Sequence, residues 1–407
     1  MRINKKLLGG TLILLLTFNI FNIFNFLYQF GMARLLTIVE YGILSSLYSI
    51  LYIIAIFTES IQIVVTKYSS SEEENGRLKN LFKRSLRKAF KSSFFFFALY
   101  LIIALPLSPL LKIPYSLMAF NGLMIFAFFL LPVSRGIMQG SKMFKSLGIS
   151  MIIESLIKLV LAVSFVLLGW KIYGALLGPI LGASIAFLLS FPMLKKILKA
   201  KEKKAETAQI YSYTAPVFFT IFAVLVFFSL DIIIAKIVFS PETAGQYAIA
   251  SVISKIIFMG TQPISKAMFP LSAESKKDEN FDDKSKSSEN IFKNAFTALS
   301  LALVACLLIL YFFPDLLVKI FAGRIISESS GILFLLGLSA SLLSLTNLVL
   351  LHKLSLGKTR SYLLLPVFLV IEAFLLFYFS KSLFQFSMAL VTASATFLWG
   401  SLLLLKE

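Results

Sequence analysis

The chain contains a series of apolar runs that are about as long as a lipid bilayer is thick. Hydrophobic residues make up 58% of its 407 residues, including 42 phenylalanines, and the mean hydropathy is +0.89. A helix needs about 20 apolar residues to cross the hydrocarbon core, where only helices and closed barrels satisfy the backbone. The runs are long and do not alternate between apolar and polar residues. They therefore predict an all-α integral membrane protein.

Twelve of these runs are candidate transmembrane helices. They lie near residues 7–30, 42–65, 94–111, 115–134, 147–168, 172–194, 213–239, 246–269, 292–313, 329–351, 361–380 and 383–405. The first run follows Arg2, Lys5 and Lys6 but is too long for a signal peptide, so we interpret it as a retained helix. Between the ninth and tenth runs, residues 314–324 are expected to hold a short surface helix.

The basic residues alternate between the loops in the way that a fixed membrane topology requires. If both termini are cytoplasmic, 30 of the 39 Lys and Arg residues fall in cytoplasmic loops and 7 fall outside, while Lys158 and Lys255 lie within spans. This bias follows the positive-inside rule and predicts a multi-pass protein of the plasma membrane. Because anionic membrane lipids account for the net charge of +19, nucleic acid is not expected as a partner.

A stretch near the N-terminus recurs, with substitutions and a short insertion, in the second half of the chain. Residues 33–36 (ARLL) align with residues 235–238 (AKIV), and residues 40–42 (EYG) align with the segment 242–247 after a short insertion. A repeat at about half the chain length is typical of membrane transporters that are built from two similar halves. We therefore expect two similar lobes.

The loops suggest where these lobes are divided and how they meet the membrane. We predict two six-helix lobes, residues 1–200 and 205–407, joined by a charged cytoplasmic linker near 195–210. The polar stretch 274–289 is predicted to be mobile. In residues 76–92, apolar side chains recur at helical spacing on an otherwise basic segment. This pattern predicts an amphipathic helix lying in the membrane interface.

Glycines four residues apart occur on two of the predicted spans. Gly174, Gly178 and Gly182 form one set, and Gly136 and Gly140 form another. Small residues at this spacing let helices approach closely, so we interpret both sets as packing surfaces.

The sequence lacks the motifs expected of an enzyme or a metal site. The single histidine, His352, and the single cysteine, Cys306, form no cluster at metal-ligand spacing, and one cysteine excludes an intrachain disulfide. The segment Gly357-Lys358-Thr359 resembles the end of a phosphate-binding loop, but His352 stands where its first glycine is required. We therefore expect no catalytic activity, no cofactor and no metal.

Ionisable residues within the spans are the most informative side chains. They are Glu59, Glu154, Lys158, Asp231, Lys255 and Glu372. Such residues are costly in hydrocarbon and normally face a bundle interior or a water-filled path. Glu154 and Lys158 are four residues apart on one helix, so they can pair with each other, whereas Lys255 has no partner nearby in sequence. Cations in both lobes suit a lipid-linked phosphate or pyrophosphate; Asp231 and Glu59 suit a proton or a cation.

Several short motifs are similar, in order and spacing, to those of a known family. They are Ala33-Arg34-Leu35-Leu36 with Glu40-Tyr41-Gly42; residues 135–140 (RGIMQG) with Lys145, Glu154, Lys158 and Gly174-Ala175; and Asp231, Gly245, Tyr247 and Pro270. Together they resemble the lipid-linked oligosaccharide flippases (Wzx type) of the MOP exporter superfamily. Members of that family often have Gly-Pro before the first acidic residue, where this chain has Thr37-Ile38-Val39.

The resemblance implies a MATE-like fold of two six-helix lobes around a central cavity, with alternating access. It implies the transfer of an oligosaccharide on a polyprenyl carrier from the cytoplasmic to the outer leaflet, with membrane lipids and glycan-synthesis enzymes as partners. The candidate substrate contacts are Arg34, Arg135, Gln139, Lys158 and Lys255. The candidates for ion coupling or structural ion pairs are Glu59, Glu154, Asp231 and Glu372.

Two other functions are compatible with the sequence. A cation-coupled multidrug exporter of the same superfamily would use Glu59 or Asp231 as a proton or sodium site. A non-transporting scaffold for a glycan-synthesis complex is the third hypothesis, but a scaffold has no need of charges inside the membrane.

Overall fold

The chain forms two compact units, which meet in sequence at the predicted charged linker. The computed structural model describes residues 5–72, 74–204, 211–274, 281–356 and 364–403. Unit 1 comprises Met1–Gln209 and unit 2 comprises Ile210–Glu407. Every regular element within the described residues is helical, so the prediction of an all-α protein is confirmed.

Unit 1 is built from helices α1 to α9 and one π-helical segment. The helices are α1 Lys5–Leu35, α2 Ile38–Ile54, α3 Ile56–Ser70, α4 Asn75–Leu111, α5 Tyr115–Gly122, α6 Met124–Gly140, α7 Phe144–Phe165, α8 Lys171–Met193 and α9 Lys195–Lys199, and the π-helical segment Val166–Trp170 lies between α7 and α8. Helix α7 packs against α8 and α1, while α6 packs against α3.

Unit 2 contains helices α10 to α16. They are α10 Tyr211–Val238, α11 Pro241–Glu274, α12 Phe281–Phe312, α13 Pro314–Ala322, α14 Ser327–Ser355, α15 Leu365–Tyr378 and α16 Leu383–Leu403. Helix α14 packs against α11 and α16, and α10 packs against α15. The short surface helix expected near 314–324 is present as α13, with Pro314 at its first turn, where a missing N–H has no cost.

The apolar helices are long enough to cross a membrane. Within the described residues, 9 helical stretches meet the length and hydropathy of a span, against twelve predicted from the sequence. Two features account for part of the difference. Phe144–Met193 counts as one stretch although the backbone turns sharply at Gly169 (φ 90°) and Lys171 (φ 47°). Leu365–Tyr378 is apolar but shorter than a full span. The multi-pass membrane character of the chain is clear.

Hydroxyl side chains fix the two hinges that the sequence repeat predicts. At the start of α2, the Thr37 hydroxyl accepts a hydrogen bond from the Glu40 backbone N–H at 3.2 Å, and the Glu40 carboxylate accepts one from the Thr37 N–H at 3.0 Å. This reciprocal arrangement is a capping box. At the start of α11, the Ser240 hydroxyl accepts from the Thr243 N–H at 3.2 Å. Each hinge therefore ends one helix and begins the next at a defined residue.

The basic amphipathic segment differs from its prediction. It is the first part of α4, a continuous helix of 37 residues, rather than a separate helix in the membrane interface. Leu78, Leu81 and Phe82 are buried, and the Phe82 ring lies 5.9 Å from the Phe191 ring of α8. The apolar face was predicted to contact lipid, but it packs against unit 1 itself.

The first part of the charged linker, residues 195–204, lies along α4, and we call it the strap. Helix α9 packs on α4, and the Lys203 backbone N–H then donates to the Gly76 carbonyl at 3.1 Å. Residues 205–210 of the predicted linker lie outside the described residues. In the stretch 274–289, α12 begins at Phe281, and residues 275–280 lie outside the described part.

Candidate functional site

The ionisable side chains of the spans fall into two clusters, one within each unit. The cluster of unit 1 is built on α1, α2, α6 and α7. The cluster of unit 2 is built on α10 and α11, with a carboxyl group on α15 nearby. Each cluster contains a partly buried lysine, but the groups that surround the two lysines differ.

Arg135 and Glu154 form a salt bridge between α6 and α7. The Arg135 guanidinium donates to the Glu154 carboxylate at 2.6 Å, to the Ser150 carbonyl at 3.1 Å and to the Ser150 hydroxyl at 3.3 Å. The two charged side chains are only 11% and 19% exposed. A pair with additional hydrogen bonds of this kind offsets the cost of burial. The Arg135 charge is therefore neutralised within unit 1.

Lys158 is held by neutral groups instead. Its ammonium donates to the Asn25 side-chain oxygen at 2.8 Å and lies 4.3 Å from the Tyr28 ring centroid and 5.4 Å from that of Tyr48. Glu154 forms its salt bridge with Arg135, so its interaction with Lys158 is electrostatic only. Aromatic faces attract a cation without cancelling its charge. Lys158 therefore presents a partly buried positive charge.

The glycine set on α8 sets the position of this cation. A Cβ added to Gly178 would lie 2.7 Å from the Lys158 carbonyl oxygen, and one added to Gly182 would lie 2.7 Å from the Glu154 carbonyl oxygen. Helix α8 therefore contacts the backbone of α7 directly behind Glu154 and Lys158. The Tyr28 hydroxyl donates to the Ala175 carbonyl of α8 at 2.9 Å, which ties α1 to the same packing surface.

Gln139 lies in a separate polar cluster between α6 and α3. Its side-chain oxygen accepts from the Gln62 amide at 2.8 Å and from the Thr66 hydroxyl at 3.3 Å. A Cβ added to Gly136 would lie 2.7 Å from Val65, so the two helices approach closely here. Gln139 thus has its partners within unit 1, and it does not belong to the group around Lys158.

Asp231 and Lys255 form the centre of the cluster in unit 2. The Lys255 ammonium donates to one Asp231 oxygen at 2.7 Å. The other oxygen accepts from the Tyr247 hydroxyl at 3.0 Å and the Ser251 hydroxyl at 2.8 Å. Lys255 therefore has a partner that is distant in sequence: the hinge brings Asp231 of α10 against the face of α11 that carries Tyr247, Ser251 and Lys255.

A small cavity opens beside this salt bridge. Its volume, taken as the space open to the centre of a water molecule, is about 20 Å³. This is enough for about one water. Polar and apolar groups line it together: Phe227, Phe228, Asp231, Ser251, Ser254, Lys255, Leu336, Ser339, Ala340, Leu343 and Leu390. The Lys255 ammonium also lies 4.8 Å from the Phe228 ring centroid. Unit 2 therefore holds its ion pair at the wall of a cavity.

Glu372 on α15 is the other acidic group of this cluster. The residue is 0% exposed, and neither carboxylate oxygen accepts a hydrogen bond from the described residues. Glu372 interacts electrostatically with Asp231 and Lys255. Buried polar groups are nearly always hydrogen-bonded, so an exception of this kind calls for a functional explanation.

Two other predicted residues lie apart from both clusters. The Arg34 side chain is exposed at the α1–α2 hinge, and its guanidinium lies 4.3 Å from the Phe30 ring centroid. Glu59 on α3 is exposed, and its side chain has no hydrogen bond or salt bridge within the described part of the chain.

Sequence reasoning missed the neutral members of both clusters. They are Asn25, Tyr28, Tyr48 and Ser251; Tyr247 was noted only as part of the repeat. Tyrosines and serines are common in membrane helices, so their identity alone gives no signal. The repeat did contain a signal, since Tyr41 and Tyr247 align. The two tyrosines mark the face of α2 that contacts α1 and the face of α11 that contacts α10.

The arrangement of helices is that of a known class of membrane transporters. A multidrug resistance MATE family transporter of the MOP superfamily matches with a TM-score of 0.73 over 95% of both chains, at 13% identity. A eukaryotic MATE transporter matches with a TM-score of 0.67 over 98% of this chain and 95% of its own, at 12% identity. At these identities the likeness shows the fold alone, so the chain has a MATE-like transporter fold.

A third solved structure of this fold is a MOP superfamily transporter from Pyrococcus furiosus. It matches with a TM-score of 0.59 over 99% of this chain and 96% of its own, at 14% identity. The sequence, in contrast, shows the family: the chain belongs to the polysaccharide biosynthesis protein family, whose model matches residues 7–276.

A relative in another organism supports the membrane assignment. An uncharacterised membrane protein of Methanocaldococcus jannaschii is 28% identical over 225 residues, which cover 51% of this chain and 50% of that protein. The chain therefore spans about half the length of the curated relative that it matches.

Proposed function

We propose that this protein is a flippase that moves a lipid-linked oligosaccharide from the cytoplasmic to the outer leaflet of the plasma membrane by alternating access. The family supports a role in polysaccharide biosynthesis, and the fold supports transport. The observation that carries the proposal is the environment of Lys158, a partly buried ammonium that donates to a neutral oxygen and faces two aromatic rings. A positive charge inside a membrane protein normally marks a substrate path or an ion pair.

Lys158 suits the phosphate or pyrophosphate of a polyprenyl carrier. A phosphate oxygen replaces the Asn25 oxygen at 2.8 Å as the acceptor, and the interaction becomes charge-assisted. Tyr28 and Tyr48 leave the positive charge in place when the substrate departs. Because Arg135 and Lys255 are already neutralised by carboxylates, we assign phosphate binding to Lys158 ahead of them.

The same proposal includes a topology. We infer twelve membrane crossings in two six-helix lobes, with α2 and α3 acting as one crossing and α7 and α8 as two. With both termini in the cytoplasm, the exposed basic residues Lys83, Arg84 and Arg87 at the start of α4 face the anionic inner leaflet. Membrane lipids and enzymes of glycan synthesis are the proposed partners. No chemical step is needed, since the substrate leaves unchanged.

Lys158→Ala tests the assignment of phosphate binding. In purified protein we expect the affinity for a fluorescent short-chain polyprenyl-pyrophosphate oligosaccharide to fall about tenfold or more, because a hydrogen bond to a charged group contributes about 1.5–3 kcal/mol. Lys158→Arg is expected to keep most of the affinity. Lys293→Ala removes an exposed lysine and serves as the matched control.

Unchanged affinity in folded Lys158→Ala would overturn the role of this lysine. An equal fall in Lys293→Ala would show that the loss reflects general charge and not a site. Thermal unfolding of each variant separates loss of binding from loss of fold.

A cation-coupled multidrug exporter is the alternative function. The buried carboxyl groups of Asp231 and Glu372 favour it, and a structural neighbour is described as a multidrug resistance transporter. Glu59 is a further candidate proton or sodium site. Efflux of a lipophilic cation from vesicles, driven by a pH or sodium gradient, would support this alternative, while absence of efflux together with glycan-lipid crossing would exclude it.

A further inference from the structure

The sequence repeat extends to a network of hydrogen bonds inside each unit. In unit 1 the Tyr41 hydroxyl donates to the Gln29 side-chain oxygen at 3.3 Å. In unit 2 the Tyr247 hydroxyl donates to an Asp231 oxygen at 3.0 Å. The two acceptors hold equivalent places in the repeat, four residues before its first alanine. The same position is therefore neutral in unit 1 and a carboxylate in unit 2.

The second helix of each repeat shows the matching change. Four residues after the tyrosine, both helices carry a serine, Ser45 in α2 and Ser251 in α11. Eight residues after it, α2 has Ser49 and α11 has Lys255. Unit 1 thus has glutamine and serine where unit 2 has aspartate and lysine. At these repeat positions the two units differ by one pair of opposite charges, and only in unit 2 do the serine and the eighth residue bond to the acceptor.

The groups around Asp231 are those of a cation site: oxygen atoms that can act as ligands, and one positive charge. One carboxylate oxygen contacts the Lys255 ammonium at 2.7 Å, while the hydroxyl oxygens of Tyr247 and Ser251 lie within 3.0 Å of the other. Carboxylate and hydroxyl oxygens are hard ligands that suit an alkali cation. Glu372 supplies a second buried carboxyl group with no hydrogen-bond donor among the described residues. The adjoining cavity has room for a water.

We propose that the Lys255 ammonium is the built-in cation of the site formed by Asp231, Tyr247 and Ser251, and that it excludes sodium from that site. The ammonium balances the Asp231 carboxylate at no cost of capturing an ion from solution. Removal of the ammonium leaves a buried carboxylate, two hydroxyl oxygens and a cavity. An uncompensated buried charge is strongly destabilising, so the vacated site takes up Na⁺ from solution.

The test compares thermal unfolding of purified protein in sodium chloride and in choline chloride at equal ionic strength. For wild type we expect the same midpoint in both salts. For Lys255→Ala we expect a lower midpoint in choline and a saturable recovery of several degrees in sodium, because a cation that binds only the folded state stabilises it. Lys255→Arg keeps a cation in place and is expected to behave as wild type.

Two controls locate the effect. Lys293→Ala removes a lysine from an exposed pair with Glu289, where the side chains are 65% and 60% exposed, and is expected to show no sodium response. Adding Asp231→Asn to Lys255→Ala is expected to abolish the response. A sodium-specific shift in wild type, its absence in Lys255→Ala, or its persistence in the double variant would each overturn the proposal.

The experiment remains decisive if Lys255→Ala folds poorly. The variant is then solubilised in parallel in sodium and in choline, and the folded fraction is measured by size exclusion. Recovery in sodium alone supports the site, while equal recovery or equal loss in both salts contradicts it. Because no glycan lipid is present, the result is independent of the proposed substrate.

Discussion

At the scale of single residues, Arg135 and Lys158 carry the same charge in different surroundings. Arg135 is fixed by Glu154 and Ser150, whereas the hydrogen bond of Lys158 goes to the neutral Asn25. The first arrangement stabilises the contact between α6 and α7. The second keeps a positive charge that a substrate can use. Their roles should therefore separate experimentally into stability for Arg135 and binding for Lys158.

Arg135→Ala is expected to lower the free energy of unfolding by about 2 kcal/mol, because it leaves Glu154 without its counter-ion. Breaking a fully buried pair costs roughly 3–5 kcal/mol, and the 19% exposure of Glu154 reduces that cost. Denaturant titration in detergent measures the change. Arg135→Ala combined with Glu154→Gln should regain at least half of it. Equal destabilisation in the single and double variants would show that the salt bridge contributes nothing.

At the scale of helices, the contact between α7 and α8 depends on glycine. A Cβ on Gly178 would lie 2.6 Å from the Ala162 Cβ and 2.7 Å from the Ala162 nitrogen and the Lys158 oxygen, so backbone must move. Gly178→Ala should therefore destabilise the protein by about 1–3 kcal/mol. Gly260→Ala, in the middle of α11 with open space around it, should stabilise by about 0.4–1 kcal/mol. Unfolding midpoints that shift in opposite directions in the two variants support close packing. Midpoints that shift in the same direction contradict it.

The strap between α9 and α4 has a titratable contact outside the membrane. Hydrogen bonds from Lys83, and next from Asn80, hold the pKa of Glu202 below its usual range. A lowered carboxyl pKa means that this contact stabilises the strap above the ordinary titration range of glutamate and is lost as the pH falls through the lowered value. The Glu202 carboxylate is exposed, so high salt weakens the contact as well.

Hydrogen exchange at the Lys203 backbone N–H, which donates to the Gly76 carbonyl, reports on this strap. We expect its protection, corrected for intrinsic exchange, to fall on acidification and at high salt. At neutral pH, Glu202→Gln should reproduce the loss. Protection that is independent of both pH and this substitution would show that the Glu202 contact does not hold the strap.

At the scale of the whole molecule, the sequence predicts helices well and partners poorly. The helix-breaking hinge after Leu36 and the short helix at Pro314 follow from local chemistry, which the sequence displays directly. The partners of the charges do not. Spacing shows that Glu154 and Lys158 share a face of α7. It does not show that Glu154 forms its salt bridge with Arg135 of α6.

The pairing of Asp231 with Lys255 was not predictable from the sequence for the same reason. The two residues are 24 positions apart, and they meet because the hinge reverses the chain with one particular register between α10 and α11. Residues inserted into the second copy of the repeat set that register, and no local pattern encodes it. Side-chain contacts between helices depend on how the helices pack, which spacing along a single helix does not reveal.

The measurement that tests the central claim most directly is the crossing of a lipid-linked glycan in liposomes. Purified protein is reconstituted with a fluorescent polyprenyl-pyrophosphate oligosaccharide in both leaflets, and a membrane-impermeant quencher is added outside. A flippase lets the quenchable fraction rise from about half toward completion, because the inner pool reaches the outer leaflet. Imposed pH and sodium gradients are varied, with Lys158→Ala and protein-free liposomes as controls. Crossing that requires the wild-type protein and is lost in Lys158→Ala is the predicted result; a fraction fixed at the protein-free level under every gradient, with folded protein present, would contradict the account.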